Sequence, residues 1–375
     1  MNVVGIVCEL NPMHRGHCAL VHRLRERADA VVGVMSGPFV QRGEPAVMDK
    51  WDRAQLAIQN GFDLIVELPS AYVLQSAHGF ALGAISVLAQ LPVSAIGFGV
   101  EPGWQLESLH RALGILESPE AQALIKSRMS DGMSYRKALE EALPLPLSPN
   151  SILALEYLSA VQKKQLHWRL HCMERLGSDY HESSLKTAFP SATALRLALR
   201  TQPLDRIQTY LAPGTSSTSF PPETPTLDGL SAFFSVQEAL APIDFSRSPH
   251  FESGMEHRFR RSFQSTGSVE QACQAAANKR QSASRYRRMM LTSLLAIPRT
   301  SMLSEPGYLR PLAMNARGAR LLREATAPVV QKPSTRKLSF GQETLFQIDL
   351  RAQRLYELLS GQAVRRDYRA RYFVE

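Results

Sequence analysis

The sequence predicts an α/β fold in which a doubly wound parallel sheet is followed by a mostly helical, basic region. Four short runs are almost continuously apolar, which is typical of parallel strands covered on both faces. They lie at residues 3–8, 30–35, 63–67 and 94–99. Helical patterns separate them, at 14–27, 46–60 and 72–90. This alternation predicts a parallel sheet with ligand sites beyond the carboxyl ends of its strands.

The first predicted strand ends in a turn that carries two histidines. Asn11 and Pro12 form the turn, and Pro12 suits the first turn of a helix, where its missing N–H would be unpaired anyway. His14 and His17 are three residues apart and project from one side of a helix start that already favours anions. Gly16 removes a side chain where a ligand could approach. The turn suits a phosphate chain, although an ordinary surface turn explains the same residues.

The loops after the next three strands carry further polar or small residues. Residues 35–45 contain Arg42, so this loop either grips an anion or is a plain surface connection. Glu67 ends the third strand, where it serves a metal or a substrate or merely caps the sheet edge. Gly99, after the fourth strand, would let a base or a ribose pack on the backbone. The local pattern leaves these alternatives open.

A second helix start has the same chemistry as the first. The predicted helices of 103–165 are followed by a fifth strand near 167–174, and then by Ser191, Thr193 and Arg196. Two hydroxyls open the helix and the arginine lies one turn in, so a helix N-terminus and a cation again combine into an anion cradle. The alternative is a capped helix with an exposed arginine.

The composition indicates an ordinary soluble globular protein. The 375 residues are 21% charged and 44% hydrophobic, enough for a sizeable core and two domains. No apolar run approaches the ~20 residues of a membrane span, and the first strand passes directly into the histidine turn, so we expect no signal peptide.

The four cysteines have no C-x-x-C spacing, and His167 and His171 merely share one face of a strand. We therefore expect no disulfide, no metal site and a cytoplasmic location.

The net charge of +9 is unevenly distributed along the chain. Residues 251–375 contain 22 Lys and Arg against 10 Asp and Glu, whereas the rest contains 21 against 24. We expect a polyanion partner for the C-terminal third, nucleic acid first and an anionic membrane second; a solvated basic surface without a partner is the alternative. A Pro/Ser/Thr-rich stretch at 213–226 indicates a linker or an exposed loop. We divide the chain into a sheet domain, 1–205, and a mostly helical basic region, 206–375.

The densest basic cluster lies in the C-terminal region. Lys279, Arg280, Arg287 and Arg288 surround Tyr286, and arginine with an interleaved tyrosine suits phosphate contacts with base stacking. The pattern has no clean basic face, so it predicts phosphate binding without recognition of a sequence. These four basic residues are the expected RNA contacts.

Several motifs resemble those of a known enzyme family. The segment Glu9-x-Asn11-Pro12-x-His14-x-Gly16-His17 resembles the nucleotide-binding signature of the HxGH nucleotidyltransferase superfamily, whose fold is Rossmann-type. Ser191-x-Thr193-x-x-Arg196 resembles its second phosphate motif. Longer matches resemble the bacterial tRNA(Met) cytidine acetate ligase family and span nearly the whole chain. They are residues 35–46, Glu67-Leu68-Pro69, Phe98-Gly99-x-Glu101, Asn150-x-Ile152-Leu153, Ser178-Asp179-Tyr180-His181 and the Lys279-Arg280 cluster.

The resemblance implies a two-step, ATP-dependent ligase. Acetate attacks the α-phosphate of ATP to give acetyl-adenylate and pyrophosphate, and N4 of the wobble cytidine of elongator tRNA(Met) then takes the acetyl group, forming N4-acetylcytidine. His14, His17 and Arg196 would be catalytic, with Mg²⁺ accompanying ATP, and the basic region would dock the tRNA. The ATP contacts that the resemblance implies are Val7, Cys8, Glu9, Leu10, Asn11, Pro12, Gly16, His17, Leu20, Gly99, Asn150, Arg175, Leu176, Ser191 and Thr193.

Two other functions remain as alternatives at this point. A nucleotidyltransferase that adenylylates a small-molecule cofactor precursor would use the same ATP site, but it would not need the basic C-terminal third. A non-catalytic RNA-binding protein is disfavoured because both phosphate motifs are intact. Met13, Arg15 and Val100 depart from the family pattern without removing a histidine or Arg196, so they do not endanger nucleotide binding. The oligomeric state is left open.

Overall fold

One sheet runs through the computed structural model, which describes residues 1–143, 145, 147–175, 188–299, 305–335, 337–362, 366–369 and 372–374. Its strands are β1 (Val3–Cys8), β2 (Ala30–Ser36), β3 (Leu64–Leu68), β4 (Ala95–Val100), β5 (Arg169–Glu174), β6 (Pro311–Met314) and β7 (Phe373–Val374). Their order across the sheet is β5-β4-β1-β2-β3-β6-β7.

The strands β1 to β5 are parallel and doubly wound, as the sequence predicts. From β1 the chain moves one way through β2 to β3, then returns to β4 on the other side of β1 and adds β5. Because of this reversal, the carboxyl ends of β1 and β4 form the switch point at which ligands bind in such sheets. The histidine turn directly follows β1 and therefore lies at this point.

The described helices mostly agree with the sequence pattern. They are α1 (Arg15–Arg25), α2 (Lys50–Gln59), α3 (Ser70–Val73), α4 (Ala77–Leu88), α5 (Leu106–Glu117), α6 (Pro119–Ser130), α7 (Tyr135–Ala142), α8 (Pro149–Lys163), α9 (Ala192–Thr201), α10 (Leu204–Ile207), α11 (Ser231–Leu240), α12 (Met255–Thr266), α13 (Val269–Ala276), α14 (Ala283–Leu294), α15 (Ala316–Arg323), α16 (Phe340–Leu359) and α17 (Arg366–Arg369). The helix predicted at 72–90 is two helices, α3 and α4, because the Ser76 side chain caps a new helix at the Gly79 amide.

Two hydrophobic cores lie on opposite faces of the sheet, because successive strand residues point to opposite faces. Val32 and Val34 of β2 join the larger core, which contains residues of α4 and α8. Val31 and Met35 join the smaller core, which contains residues of α1 and α2. The strand sequences are nearly continuously apolar because both faces of each central strand are covered.

Residues beyond 205 also contribute to the sheet. β6 pairs antiparallel with β3, with Leu64 opposite Met314, and β7 pairs parallel with β6. The rest of that region is mostly helical, as predicted. The division at residue 205 stays a prediction, and the two parts share backbone hydrogen bonds at β6 and elsewhere, as between the Ala212 amide and the Met13 carbonyl oxygen at 3.1 Å.

A buried ion cluster fixes this added edge of the sheet. Lys50 Nζ lies 2.9 Å from each carboxylate oxygen of Glu67 and 3.1 Å from Oδ1 of Asp367. Arg310 Nη2 contacts the same Asp367 oxygen at 3.1 Å, and all four side chains are at most 3% exposed. Removing one partner of a buried ion pair typically costs about 3–5 kcal/mol. Of the alternatives for Glu67, the structure therefore favours a structural one at the sheet edge.

The Pro/Ser/Thr-rich stretch at 213–226 packs against α2 at its start. Asn60 Nδ2 donates a hydrogen bond to the Pro213 carbonyl oxygen at 3.0 Å. Buried Thr215 donates through Oγ1 to the Ala212 carbonyl oxygen at 2.7 Å. This end of the stretch is therefore attached to the sheet domain.

The four cysteines, Cys8, Cys18, Cys172 and Cys273, are free thiols, and Cys8 and Cys273 are buried. Within the residues that the structure describes, no helix combines the length and the apolar character needed to cross a membrane.

Candidate active site

A cavity of about 430 Å³ opens at the carboxyl ends of β1 and β4. Most of the predicted catalytic and ATP-binding residues line it. They are Val7, Cys8, Glu9, Leu10, Asn11, His14, Gly16, His17, Leu20, Gly99, Asn150, Arg175, Ser191, Thr193 and Arg196. Pro12 is buried beside them and joined to Asn11 by a cis peptide bond, and Leu176 lies outside the described residues. The four predicted RNA contacts do not line the cavity.

The two histidines are held by the backbone of the turn that they begin. His14 is the N-cap of α1, and its Nδ1 accepts a hydrogen bond from the Gly16 amide at 3.1 Å. His17 Nδ1 accepts in turn from the His14 amide at 3.3 Å. The centroids of the two rings are 3.9 Å apart. Glycine is needed at position 16 because a Cβ there would come within 2.9 Å of Cε1 of His14.

These hydrogen bonds determine which nitrogen of each ring can donate. A neutral imidazole has one donor and one acceptor nitrogen, and Nδ1 is the acceptor on both rings, so Nε2 carries the proton. Burial, with His17 and nearby arginines, holds the pKa of His14 well below its ordinary value. Burial, together with Arg175, lowers the pKa of His17 to about 3. Both rings are therefore neutral Nε2–H donors at pH 7, which suits phosphate oxygens.

The second predicted cradle meets the first at Arg196. Ser191 caps α9 by accepting a hydrogen bond from the Ala194 amide at 3.1 Å. One turn further, Arg196 donates to the Asn11 carbonyl oxygen at 2.9 Å and to Thr193 Oγ1 at 3.2 Å. The guanidinium is thus held against the histidine turn and faces the cavity. Two helix N-termini, a fixed cation and two imidazole donors share one cavity, and each of them favours an anion.

Arg53 organises the loops around the cavity, although no motif marks it in the sequence. Its side chain is fully buried, and it donates hydrogen bonds to the carbonyl oxygens of Glu9, Gly37 and Met48. Glu9 follows β1, Gly37 follows β2 and Met48 precedes α2. One guanidinium therefore holds three loop segments together. Its partners are backbone groups, which any sequence supplies, so the sequence could not reveal this role.

The loop between β2 and α2 closes one side of the cavity. Val40, Gln41, Arg42 and Glu44 all line the cavity. The Gln41 amide donates a hydrogen bond to Oε1 of Glu9 at 2.7 Å, which joins this loop to the end of β1. The position of Arg42 favours an anion-binding loop over a plain surface connection.

Apolar and aromatic side chains form another wall. Phe80, Phe98 and Tyr157 line it, and the rings of Phe98 and Tyr157 lie 6.2 Å apart. Tyr157 is not among the predicted residues, yet Asn150, Leu153 and Tyr157 follow one another at spacings of three and four and so share one face of α8. This spacing is the sequence signal that could have identified Tyr157 as a lining residue. Further lining residues outside the predicted set are Arg23, Ala77, Arg136, Ile152 and Phe189.

The start of α8 is tied to the loop after β4. Asn150 Nδ2 donates to Oε1 of Glu101 at 2.5 Å, and the capping residue Ser148 donates to the other oxygen of the same carboxylate. Gly99 gives Arg175 room, because a Cβ on Gly99 would lie 3.0 Å from Cγ of Arg175. These contacts hold Asn150 and Arg175 at the β4 side of the cavity.

Two of the four predicted RNA contacts are exposed. Lys279 and Arg280 lie in the turn before α14. Arg280 pairs with Glu252, but its side chain remains 48% exposed, so the guanidinium also faces solvent. Their contact with RNA stays a prediction.

The other two predicted RNA contacts brace the loop that closes the cavity. Arg287 is 11% exposed and forms ion pairs with Glu44, at 3.0 Å, and with Glu270. Arg288 Nη1 donates to the Gln41 carbonyl oxygen at 3.2 Å. Helix α14 therefore supports the site from behind this loop, and an RNA contact by these two arginines stays a prediction.

Comparison with known proteins agrees with this geometry. The family model described as HIGH Nucleotidyl Transferase matches residues 1–371. A tRNA(Met) cytidine acetate ligase of Syntrophomonas wolfei is 34% identical over 357 residues, covering 86% of this chain and 84% of the relative. One of a Thermoanaerobacter species is 31% identical over 383 residues, covering 96% and 95%. The chain belongs to the tRNA(Met) cytidine acetate ligase family of HIGH nucleotidyl transferases.

Solved structures named TmcAL extend the likeness from sequence to the whole fold. The apo structure of Thermotoga maritima TmcAL, form I, has a TM-score of 0.89 and 29% identity, covering 100% of this chain and 99% of that chain. Thermotoga maritima TmcAL bound with alpha-thio ATP has a TM-score of 0.86 and 28% identity, covering 100% of both chains. The tRNA(Met) cytidine acetate ligase fold therefore includes the basic C-terminal region as well as the sheet.

Proposed function

We propose that this protein is an ATP-dependent ligase that acetylates N4 of the wobble cytidine of elongator tRNA(Met). In the first step a carboxylate oxygen of acetate bonds to the α-phosphorus of ATP, the bond to pyrophosphate breaks, and acetyl-adenylate forms. In the second step the N4 amine bonds to the acetyl carbon, AMP leaves, and N4-acetylcytidine results. The names of relatives that match nearly the whole chain support this assignment, as does a similar TmcAL bound with alpha-thio ATP.

The observation that carries the nucleotide chemistry is the contact between Arg196 and the histidine turn. Displacement at the α-phosphorus drives negative charge onto the departing pyrophosphate, so donors fixed before the reaction lower the barrier. The Nε2–H groups of His14 and His17 and the guanidinium of Arg196 are such donors. They are held by backbone contacts, so little reorganisation is needed when the triphosphate binds.

Mg²⁺ would enter the site together with the triphosphate. Among the described residues, no group of three or more His, Cys, Asp or Glu side chains is arranged to hold a metal ion. The donors that face the cavity are imidazole N–H and guanidinium groups, which bind phosphate oxygens and offer no lone pair to a metal ion. A Mg²⁺ ion on the phosphates would neutralise part of their charge.

The basic region, residues 206–375, would dock the tRNA. The +12 balance of residues 251–375 suits a polyanion, and Lys279 and Arg280 are exposed on its surface. Because tRNA(Met) acts in translation, we assign the protein to the cytoplasm.

The first test is isotope exchange between ATP and pyrophosphate in the absence of RNA. We expect exchange that depends on acetate, because acetyl-adenylate formation needs no tRNA. Absence of exchange with acetate or any other short carboxylate would overturn the ligase assignment.

The His17→Ala variant tests the histidine turn. It should lose exchange by about 100-fold or more, while its tRNA binding is unchanged. His22→Ala, at an 83% exposed position of the same helix, is the control. Equal loss of exchange and of tRNA binding would make His17 structural.

The second test addresses the product. Nucleoside mass spectrometry of tRNA from a strain that lacks the gene should show no N4-acetylcytidine, and the wild-type gene should restore it. Undiminished N4-acetylcytidine would show that this protein does not make the modification, and it would favour a small-molecule nucleotidyltransferase.

A further inference from the structure

The carboxylate of Glu9 lies among the anion-binding groups of the cavity. Glu9 follows β1 and lines the cavity beside the histidine turn. Its Oε1 accepts a hydrogen bond from the Gln41 amide at 2.7 Å. The positive charges that act on it come from Arg42, Arg53 and Arg196. Glu9 is thus held in place in the wall of the cavity, against the loop that closes it.

The charge of Glu9 does not suit the triphosphate. A carboxylate only accepts hydrogen bonds, and it repels phosphate oxygens and the acetate ion. The substrate groups that it can bind are therefore N–H or O–H donors. In the proposed reaction the N4 amine of cytidine is a donor that must also lose a proton at the reacting centre.

The other titratable groups that line the cavity are poor proton acceptors. The Nδ1 atoms of His14 and His17 already accept backbone amides, and their Nε2 atoms carry protons. Burial raises the pKa of the Cys8 thiol to about 12 and raises the pKa of Tyr157 as well, so both stay protonated.

The remaining carboxylates at the cavity are differently placed. Glu44 is paired with Arg287 at 3.0 Å, and Glu174 is exposed to solvent. Burial raises the pKa of Glu9 above its ordinary value, while the Gln41 amide and the three arginines oppose that shift. A carboxylate with a raised pKa is a stronger base once ionised.

We propose that Glu9 is the general base of the acetyl transfer. The N4 nitrogen of cytidine forms a bond to the acetyl carbon, the bond between that carbon and the phosphate oxygen of AMP breaks, and the N4 proton passes to the Glu9 carboxylate. AMP takes the electron pair of the broken bond. No oxidant or further reactant is needed. This inference rests on the proposed function, and it predicts that loss of the Glu9 carboxylate slows the second step more than the first.

The test is the variant Glu9→Gln, measured separately for the two steps. Glutamine keeps an oxygen that can accept the Gln41 amide but cannot take up a proton. We expect acetyl transfer to tRNA(Met) to fall by about 100-fold or more, and by at least about tenfold more than acetate-dependent ATP–pyrophosphate exchange. Glu9→Asp, which retains a carboxylate, should recover part of the transfer rate. Glu26→Gln makes the same chemical change at a 64% exposed position of the α1 end and should behave as wild type.

Three other outcomes would each have a distinct meaning. If Glu9→Gln transfers acetyl groups at the wild-type rate, Glu9 is not the base. If exchange and transfer fall equally, Glu9 contacts ATP or shapes the site, and the proposal is wrong. If the wild-type protein itself shows no acetate-dependent exchange, the proposed function fails instead. A single-turnover measurement with preformed acetyl-adenylate removes any contribution of the first step.

Discussion

The guanidinium of Arg196 donates a hydrogen bond to the carbonyl oxygen of Asn11 at 2.9 Å, across 185 residues of sequence. Its other end is held by Thr193 Oγ1 at 3.2 Å. A guanidinium has five N–H groups in a planar fork, so this arrangement orients it and still leaves donors for a phosphate. Two helix starts that are each ordinary by themselves become one anion site through this contact.

Replacing Arg196 with lysine should separate charge from geometry. Lysine keeps the positive charge but cannot bridge the Asn11 carbonyl and Thr193 while facing a ligand. We expect acetate-dependent ATP–pyrophosphate exchange to fall by about 100-fold, because a fixed transition-state donor is lost. Arg200→Lys, at an exposed position of the same helix, is the control and should retain exchange. Wild-type exchange in Arg196→Lys would show that charge alone suffices.

Replacing Gly16 with alanine should impair nucleotide binding without weakening the fold. The new Cβ would meet Cε1 of His14 at 2.9 Å and Nδ1 at 3.0 Å, so the ring must move out of its capping position. We expect ATP affinity, measured by calorimetry, to fall about tenfold, or about 1.4 kcal/mol. The free energy of unfolding should change by less than about 1 kcal/mol, because the preference of a helix for alanine offsets the loss of the His14 cap.

Gly114→Ala is the matched control for that substitution. It makes the same change within α5, where a Cβ would meet nothing within 4 Å. It should leave ATP affinity unchanged. If Gly16→Ala also binds ATP as the wild type does, the position of the His14 ring is not needed for binding.

Buried His250 should make the protein less stable in mild acid. Its Nε2–H donates to the Leu74 carbonyl oxygen at 2.5 Å, and burial, with Arg288 and Arg285 nearby, lowers its pKa to about 3. An unfolded histidine has a pKa of about 6.5. As the pH falls below about 6.5, His250 becomes protonated in the unfolded chain but stays neutral in the folded chain. The stability that neutral His250 contributes is therefore present above pH 6.5 and is lost as the pH falls toward its folded pKa. Between pH 7.5 and pH 5.0 the loss from His250 is about 2 kcal/mol.

Urea unfolding at the two pH values can isolate this contribution. His250→Gln keeps a donor for the Leu74 carbonyl but does not titrate. Its stability loss on acidification should be smaller than that of wild type by about 2 kcal/mol. His257→Gln, 77% exposed, should lose as much as wild type. An unchanged loss in His250→Gln would mean that His250 accepts a proton in the folded state.

The basic residues of the α14 region should divide into RNA contacts and structural residues. Exposed Lys279 and Arg280, changed together to alanine, should weaken tRNA binding and lower the slope of its salt dependence by about 1.5, because each phosphate contact contributes about 0.7–0.9. Arg111→Ala with Lys126→Ala, both exposed on α5 and α6, is the charge-matched control. An unchanged slope in the first double variant would place the tRNA elsewhere.

Arg287→Met should instead act mainly on the loop that closes the cavity. It leaves Glu44 and Glu270 without their shared cation. We expect weaker ATP binding and a lower melting temperature, with little change in the salt slope. A large fall in the slope with stability intact would make Arg287 an RNA contact.

The sequence was sufficient for features that depend on neighbours along the chain. Strands of apolar β-branched residues and the two helix starts at His14 and Ser191 follow from periodicity and capping chemistry. The ATP contacts were predicted from the family resemblance, and most of these residues line the cavity. The motif spacing also points to the enzyme family, which the relatives confirm. Helical spacing could also have predicted Tyr157, because it shares a helix face with Asn150.

The tertiary structure alone decided which distant groups meet. Arg53 and Arg287 bind partners on other elements, Glu67 turns inward to Lys50, and β6 joins the sheet from far along the chain. Local pattern cannot select among these partners, because an arginine or a glutamate has the same propensity whether its partner is a carbonyl, a carboxylate or water. The sequence by itself determined a helix start with two histidines at the end of the first strand. The packing of the whole chain decided that the turn would face a second cradle and a carboxylate in the same cavity.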